Sequence, residues 1–186
     1  MESGEYVHQY CDLCHDRAER VVAHIRRSRG YRTFSVDWSK PSFQRLGQWV
    51  LKNIRLEYRL PKKVEISGNH LSPEIRAHFK KWQESEKDYE IADADLPLVL
   101  DIGFLVACEL MRRFPWLGWK RCSARSSFYF NQPILPARGN YGFAPLFEAE
   151  CVTFAVLRQP DEVMEYWQWF ADWLTVFRAR RPRSNR

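Results

Sequence analysis

The sequence predicts an α+β fold: a single domain in which four to five helices pack on a small antiparallel or mixed sheet. The length of 186 residues suits one domain that is large enough to bury a proper core. Hydrophobic residues make up 45% of the chain, which excludes wholesale disorder. Apolar residues recur at helical spacing in several long segments, whereas the patterns typical of strands are short and lie mainly in the second half. We expect the domain to span residues 1–177 and a flexible basic tail to span residues 178–186.

The N-terminal segment predicts one long helix followed by a strand. Over residues 5–29, apolar side chains recur every three or four positions and form a single stripe. Gly30 then supplies a helix stop. Residues 31–36 alternate loosely between apolar and polar side chains, which predicts a strand.

Two further helices are predicted before residue 90. Ser39 or Lys40 precedes Pro41, which suits the first position of a second helix. Residues 55–66 are ambiguous, because a short strand pattern is interrupted by a proline turn. An amphipathic pattern over residues 74–89 predicts a third helix.

The most apolar segment, residues 96–117, predicts a central helix that Asp93 or Asp95 caps and Pro115 ends. The remaining predicted elements are strands at 118–124, 126–135 and 151–157, a loop at 136–145 and a last helix at 161–177.

Two carboxylates, Asp101 and Glu109, interrupt the central helix and lie about 12 Å apart along nearly the same face. A carboxylate in such apolar surroundings must find a partner, reach water or take up a proton. We expect the pair, with Asn131, to form a buried polar anchor. The alternative is a small enzyme with Asp101 and Glu109 in its site, although their spacing exceeds that of the carboxylates in glycoside hydrolysis. The expected anchoring partners are Arg112, Lys120, Arg121 or a tryptophan N–H group.

Cys11, Cys14 and His15 form a C-x-x-C-H motif of the kind that attaches c-type haem. No methionine or histidine stands out as a second axial ligand, and both cysteines fall on the apolar stripe of the first helix, where thiols pack well. We therefore expect core cysteines, no cofactor and no metal. A zinc site on Cys11, Cys14 and His15 is the alternative, although no second C-x-x-C supplies the usual remaining ligands.

The last helix carries more aromatic surface than one core contact needs. Tyr166, Trp169 and Trp173 lie on a face beside its apolar stripe. With Tyr141 and Phe143 of the preceding loop, they are predicted to form a surface for a protein partner or a homodimer, because aromatic residues dominate interfaces. A helix buried on two sides is the alternative.

The net charge of +6 raises the question of nucleic-acid binding. Five arginines lie in the last nine residues, so most of this charge belongs to the tail. A solvated tail is one interpretation, and nucleic-acid association is the alternative. The carboxylates in the apolar run argue against a membrane span, and the polar N-terminus lacks a signal peptide's apolar core, so we expect a cytoplasmic protein. The tail arginines in question include Arg178, Arg180, Arg181 and Arg183.

Three segments together carry a resemblance to known proteins. Residues 37–50 look like a strand-to-helix segment with a serine and a spaced Leu/Trp pair. Asp101, Gly103 and Glu109 match a helix with D-x-G and a later glutamate, and residues 130–135 look like an N-x-P-V strand. These segments resemble a diffuse bacterial family of uncharacterised cytosolic proteins, some of them similar to immunity proteins of toxin systems. The resemblance implies a non-catalytic, protein-binding module: an immunity protein that neutralises a cognate toxin by direct binding.

Overall fold

The computed structural model describes residues 3–59, 88–125, 127, 129–137 and 142–179. Within these residues the architecture is α+β, as the sequence predicts. The helices are α1 (Ser3–Arg27), α2 (Lys40–Asn53), α3 (Leu96–Arg113), α4 (Pro145–Arg158) and α5 (Glu165–Ala179), with a short 3-10 turn at Pro160–Glu162. The strands are β1 (Leu56–Arg59), β2 (Asp88–Ile91), β3 (Lys120–Arg121), β4 (Pro133–Pro136) and β5 (Gly142–Phe143).

Helix α3 lies at the centre of the core, packed against both α1 and α4. Every residue from Asp101 to Ala107 is buried, as expected for a helix that is apolar nearly all round. Gly103 permits the close approach of α4, because a Cβ atom there would lie 2.5 Å from the carbonyl oxygen of Pro145. Neither α3 nor any other helix in the described ranges is long and apolar enough to cross a membrane.

Helices α2 and α5 complete the core through aromatic packing. The rings of Phe43 on α2 and Phe170 on α5 stack with centroids 4.9 Å apart, and Trp38 lies against Phe170 at 5.2 Å. Trp49 is fully buried, and its Nε1 donates to Ser28 Oγ at 2.9 Å. At least one of the eight tryptophans of the chain therefore serves the core with its indole N–H bonded, as is usual for a buried tryptophan.

Two small antiparallel sheets accompany the helices, which confirms the predicted sheet type. Strands β1 and β2 pair with Leu56 opposite Ile91. In the second sheet β4 lies between β3 and β5, and its Leu135 is fully buried. Strand β4 also packs on α4, so this sheet covers one side of that helix.

The predicted ends of the first two helices are confirmed. Helix α1 ends at Arg27, and Gly30 adopts a φ of 87° just beyond it, a conformation that favours glycine. Ser39 is the N-cap of α2, where its side chain accepts a hydrogen bond from Ser42 N at 3.3 Å. Pro41 lies in the first turn, as predicted.

The start of α3 differs in detail from the prediction. Asp95 occupies the N-cap position, but its carboxylate makes no capping bond. Asp95 Oδ2 instead accepts from both the backbone N and the Nε of Arg55, at 3.0 Å each. This residue therefore ties the start of α3 to the segment between α2 and β1. The helix ends at Arg113, before Pro115, as predicted.

Two predicted strands are wrong. Residues 31–36 contain one turn, at 32–33, and are otherwise irregular; Phe34 N donates to Tyr31 O at 2.8 Å, and both aromatic rings are buried. Residues 151–157 belong to α4, whose buried Ala149, Thr153 and Val156 follow a helical spacing. Burial against α3 outweighs the local β-propensity of this run.

Three other predicted elements differ in extent. Strand patterns at 118–124 and 126–135 are confirmed only as the short β3 and β4. The last helix starts later than predicted, at Glu165, after the 3-10 turn. Most of the helix predicted over 74–89 lies outside the described residues, and its last two positions belong to β2.

Candidate functional site

An open groove of about 770 Å³ lies between α1 and α3. Its walls are helical, so the backbone on both sides is held by the core of the domain. Apolar and sulfur-containing side chains line much of it: Cys14, Ala18, Val22, Leu105, Cys108 and Met111. The other lining residues are His15, Glu19, Ala23, Arg26, Trp38, Glu109 and Arg112.

One end of the groove carries a charged cluster around Glu109. Glu109 accepts from Arg112 at 2.7 and 2.8 Å and also from Arg113 Nε. Burial disfavours the charged carboxylate, but these guanidinium groups outweigh it and hold the pKa of Glu109 below its ordinary value. Two guanidinium groups therefore face one carboxylate here, whereas the other charges of the lining, Arg26 and Glu19, balance each other. The predicted pairing of Glu109 with Arg112 is confirmed.

Asp101 is fully buried and joins α1 to α3. Its carboxylate accepts from Arg20 Nε at 2.6 Å, from Arg20 Nη2 at 2.8 Å and from Arg17 Nη1 at 3.3 Å. The predicted burial and pairing of Asp101 are thus observed, but the cations come from α1 and not from the predicted residues near the strands. A carboxylate so paired has little capacity left for a substrate.

Asn131 does not belong to this anchor, so that part of the prediction is wrong. It lies exposed in the turn before β4, with a φ of 66°. Its Oδ1 accepts from Arg121 Nε at 3.1 Å. Asparagine tolerates this left-handed backbone conformation better than most residues, which accounts for its position in a turn.

A second carboxylate site, around Glu148 on α4, is absent from the sequence-based predictions. Glu148 Oε2 accepts from Trp169 Nε1 at 2.9 Å and Trp173 Nε1 at 2.7 Å. Its Oε1 accepts from Ala144 N at 3.3 Å and Tyr129 Oη at 3.4 Å. Burial raises the pKa of Glu148, and the four neutral donors only partly oppose this. Burial and the Glu148 carboxylate also raise the pKa of Tyr129, to about 12.

The predicted aromatic partner surface is wrong for the side chains that the structure describes. Tyr166 and Phe143 are fully buried, Trp169 is 7% exposed, and Trp173 is half-buried. Tyr141 lies outside the described residues. The alternative, a last helix buried on two sides, is correct, because α4 was mistaken for a strand and its coverage of α5 was missed. Trp169 and Trp173 could have pointed to Glu148, since buried indole N–H groups require acceptors.

The residues of the C-x-x-C-H motif diverge in the structure. Cys14 is buried in the core, whereas His15 is exposed and lies 3.1 Å from Glu19 Oε1. The side chain of Cys11 lies outside the described set. No group of three His, Cys, Asp or Glu side chains that could hold a metal occurs among the described residues.

Of the predicted tail, residues 178 and 179 are described, and both belong to α5. Arg178 is exposed near the end of α5, while Arg180, Arg181 and Arg183 lie outside the described residues. The groove between α1 and α3 is therefore the best-defined candidate site. Comparisons of this chain with protein-family models, curated proteins and solved structures found no match.

Proposed function

We propose that this protein is a protein-binding module that receives an apolar, acidic segment of a partner protein in the groove between α1 and α3. The observation that carries the proposal is the groove itself, which combines apolar walls with the two arginines that surround Glu109. The proposal keeps the binding function predicted from sequence and moves its surface away from the last helix.

The apolar walls supply affinity for such a segment. Val22, Met111 and Trp38 are half-buried and line the groove, so each has surface left to cover. Burying a side chain of leucine size contributes about 1.5–3 kcal/mol, and a few such anchors support a specific complex. A partner helix with apolar residues at i, i+3 or i+4, and i+7 fits a groove formed by two helices.

The charges select the partner's chemistry. Glu109 pairs with two arginines, which leaves one positive charge in excess beside the groove. Acidic residues flanking the apolar anchors would complement this end, favouring fast association and a defined orientation.

The resemblance to immunity-like proteins supports a bacterial toxin as the partner, neutralised in the cytoplasm by steric occlusion. The enzyme alternative has less support, because both carboxylates are engaged in ion pairs. Asp101 pairs with Arg17 and Arg20, and two arginines keep Glu109 in its charged form. The nucleic-acid alternative depends on tail residues of which only Arg178 is described.

The test uses opposite charges at one exposed groove position, Ala23. The wild-type chain and the variants Ala23→Glu and Ala23→Lys would be purified from the native host, and partners compared by quantitative mass spectrometry. The two side chains have similar length, so an acidic partner should bind Ala23→Glu at least about tenfold more weakly than Ala23→Lys. Gln48→Glu, an exposed change on α2, is the control and should retain the partner.

Three outcomes contradict the proposal. The first is the absence of any stoichiometric partner. The second is a partner that binds both Ala23 variants as well as the wild-type chain, which places the surface elsewhere. The third is filling of the groove by a second copy, which sedimentation of the purified chain would detect as a dimer that Ala23→Glu disrupts.

A further inference from the structure

Two thiols from different helices meet at the wall of the groove. Cys14 comes from α1 and Cys108 from α3, and both line the groove. The Cys14 thiol lies within hydrogen-bonding reach of two acceptors, the Cys108 sulfur and the carbonyl oxygen of Phe104, the latter at 3.5 Å. The packing of α1 on α3 therefore juxtaposes two sulfur atoms that are far apart in sequence.

The two thiols differ in access and in ionisation. Cys14 is 2% exposed, whereas Cys108 is half-buried and borders the open groove. Donation from the Cys14 thiol to the Cys108 sulfur, in place of Phe104 O, lowers the pKa of Cys108 below its ordinary value, although burial opposes this shift. The more reachable sulfur is thus also the better nucleophile, since the thiolate is the reactive form.

We propose that Cys108 and Cys14 form a peroxide-reactive dithiol, in which Cys108 attacks a hydroperoxide and Cys14 resolves the product as a disulfide between α3 and α1. In the first step the Cys108 thiolate forms an S–O bond, the peroxide O–O bond breaks, and the leaving oxygen takes a proton to give an alcohol or water. Cys108 is then a sulfenic acid. In the second step the Cys14 sulfur loses its proton and attacks Cys108, the S–S bond forms, and water leaves. Two thiols lose two electrons, which reduce one hydroperoxide.

Two other cysteines serve as internal references. Cys151 is exposed on α4, but burial of its sulfur and the nearby charges of Glu150 and Glu148 raise its pKa. Cys122 is buried in a small cluster with Ile134 and Ala144, away from the groove. Exposure alone would favour Cys151, whereas the dithiol proposal favours Cys108.

The experiment treats the reduced full-length chain with hydrogen peroxide near one equivalent, blocks the remaining thiols with N-ethylmaleimide and maps the peptides by mass spectrometry. The expected result is a Cys14–Cys108 cross-link that forms before Cys151 is oxidised. Cys14→Ala should stop the reaction at a Cys108 sulfenic acid that dimedone traps. Cys108→Ser should slow the loss of thiols to the rate set by the remaining cysteines. If Cys14→Ala is unfolded by circular dichroism, Cys108→Ser carries the test.

A matched variant separates this pair from the C-x-x-C motif. Cys11→Ser should keep the cross-link, and the oxidised chain should show a melting temperature about 10 °C higher than the reduced chain, because the disulfide closes a long loop. A Cys11–Cys14 cross-link, or oxidation at Cys151 ahead of Cys108, would overturn the proposal. The test requires no binding partner, so its failure is independent of the function proposed above.

Discussion

Glu109 and Glu148 are the same residue type in two differently built sites. Glu109 contacts two guanidinium groups, and the pKa of its carboxyl is lowered. Glu148 contacts two indole N–H groups, a backbone N–H and a phenol, and the pKa of its carboxyl is raised. Burial raises the pKa at both, and it is outweighed by the charged donors at Glu109 but not by the neutral donors at Glu148.

The comparison shows how the domain uses carboxylates. Asp101 balances two arginines of α1 and so links that helix to α3, whereas Glu109 balances two arginines of its own helix beside the groove. Glu148 instead connects the start of α4 to α5 through neutral groups, and it can take up a proton without leaving a buried cation unpaired. Ion-paired carboxylates should therefore be costly to neutralise, and Glu148 should not.

The largest expected effect is that of Asp101→Asn. The amide keeps the shape of the side chain but leaves Arg17 and Arg20 without a counterion in a buried contact. Because both arginines are partly exposed, we expect a loss of about 2–4 kcal/mol in the free energy of unfolding, measured with urea at pH 7. Asp161→Asn, an exposed change, is the control and should fall within about 0.5 kcal/mol of wild type. A loss that small for Asp101→Asn would remove the anchoring role.

The paired changes Glu109→Gln and Glu148→Gln test the comparison directly. Glu109→Gln should cost about 2 kcal/mol at pH 7, because two arginines lose their charged acceptor. Glu148→Gln should lower the free energy of unfolding by about 1 kcal/mol. The amide oxygen can still accept from the two indoles, but the amide nitrogen, itself a donor, would face the N–H group of Ala144. Urea unfolding of both variants in one buffer measures the difference. Equal losses, or the reverse order, would break the comparison.

The sequence revealed one of these sites because its signal is local. Asp101 and Glu109 interrupt an apolar helix, so their burial and their need for partners follow from periodicity alone. The arginines on α1 that pair with Asp101 could not be predicted, because that contact depends on how α1 packs across α3. The pairing of Glu109 with Arg112 could be predicted, because residues three or four positions apart lie side by side on a helix.

Glu148 was missed for a related reason. The run after it is rich in β-branched and aromatic residues, and this local preference predicted a strand where tertiary packing forms α4. Without α4, the sequence offers no acceptor for the indole N–H groups of α5, so these tryptophans were predicted to lie on an exposed surface. Because α4 was predicted as a strand, the surface prediction for Trp169, Trp173 and Phe143 was wrong as well.

Removing one neutral donor sharpens the picture of the Glu148 site. Trp173→Phe keeps much of the aromatic packing but removes the indole N–H that donates to Glu148 Oε2 at 2.7 Å. We expect a loss of about 1 kcal/mol in the free energy of unfolding at pH 7, and a further rise in the pKa of Glu148. The matched control is Trp167→Phe, which changes a half-buried tryptophan on the same helix. A loss confined to Trp173→Phe would assign the cost to the hydrogen bond, whereas equal losses would assign it to packing.

The smallest expected effect is on the pH dependence of stability, and it has opposite signs at the two sites. The folded pKa of Glu109 lies below its ordinary value of 4.5, so its contribution is present above pH 4.5 and is lost as the pH falls below it. The folded pKa of Glu148 lies above 4.5, so the native state holds its proton more tightly and stability declines as the pH rises from 4.5 through the folded pKa. We therefore expect Glu109→Gln to reduce the loss of unfolding free energy below pH 4.5. Glu148→Gln should instead reduce the decline in unfolding free energy above pH 4.5. Unfolding free energies measured across this pH range check both. If Glu148→Gln left the slope above pH 4.5 unchanged, the neutral donors would fully offset the burial of this carboxyl and its pKa would not be raised.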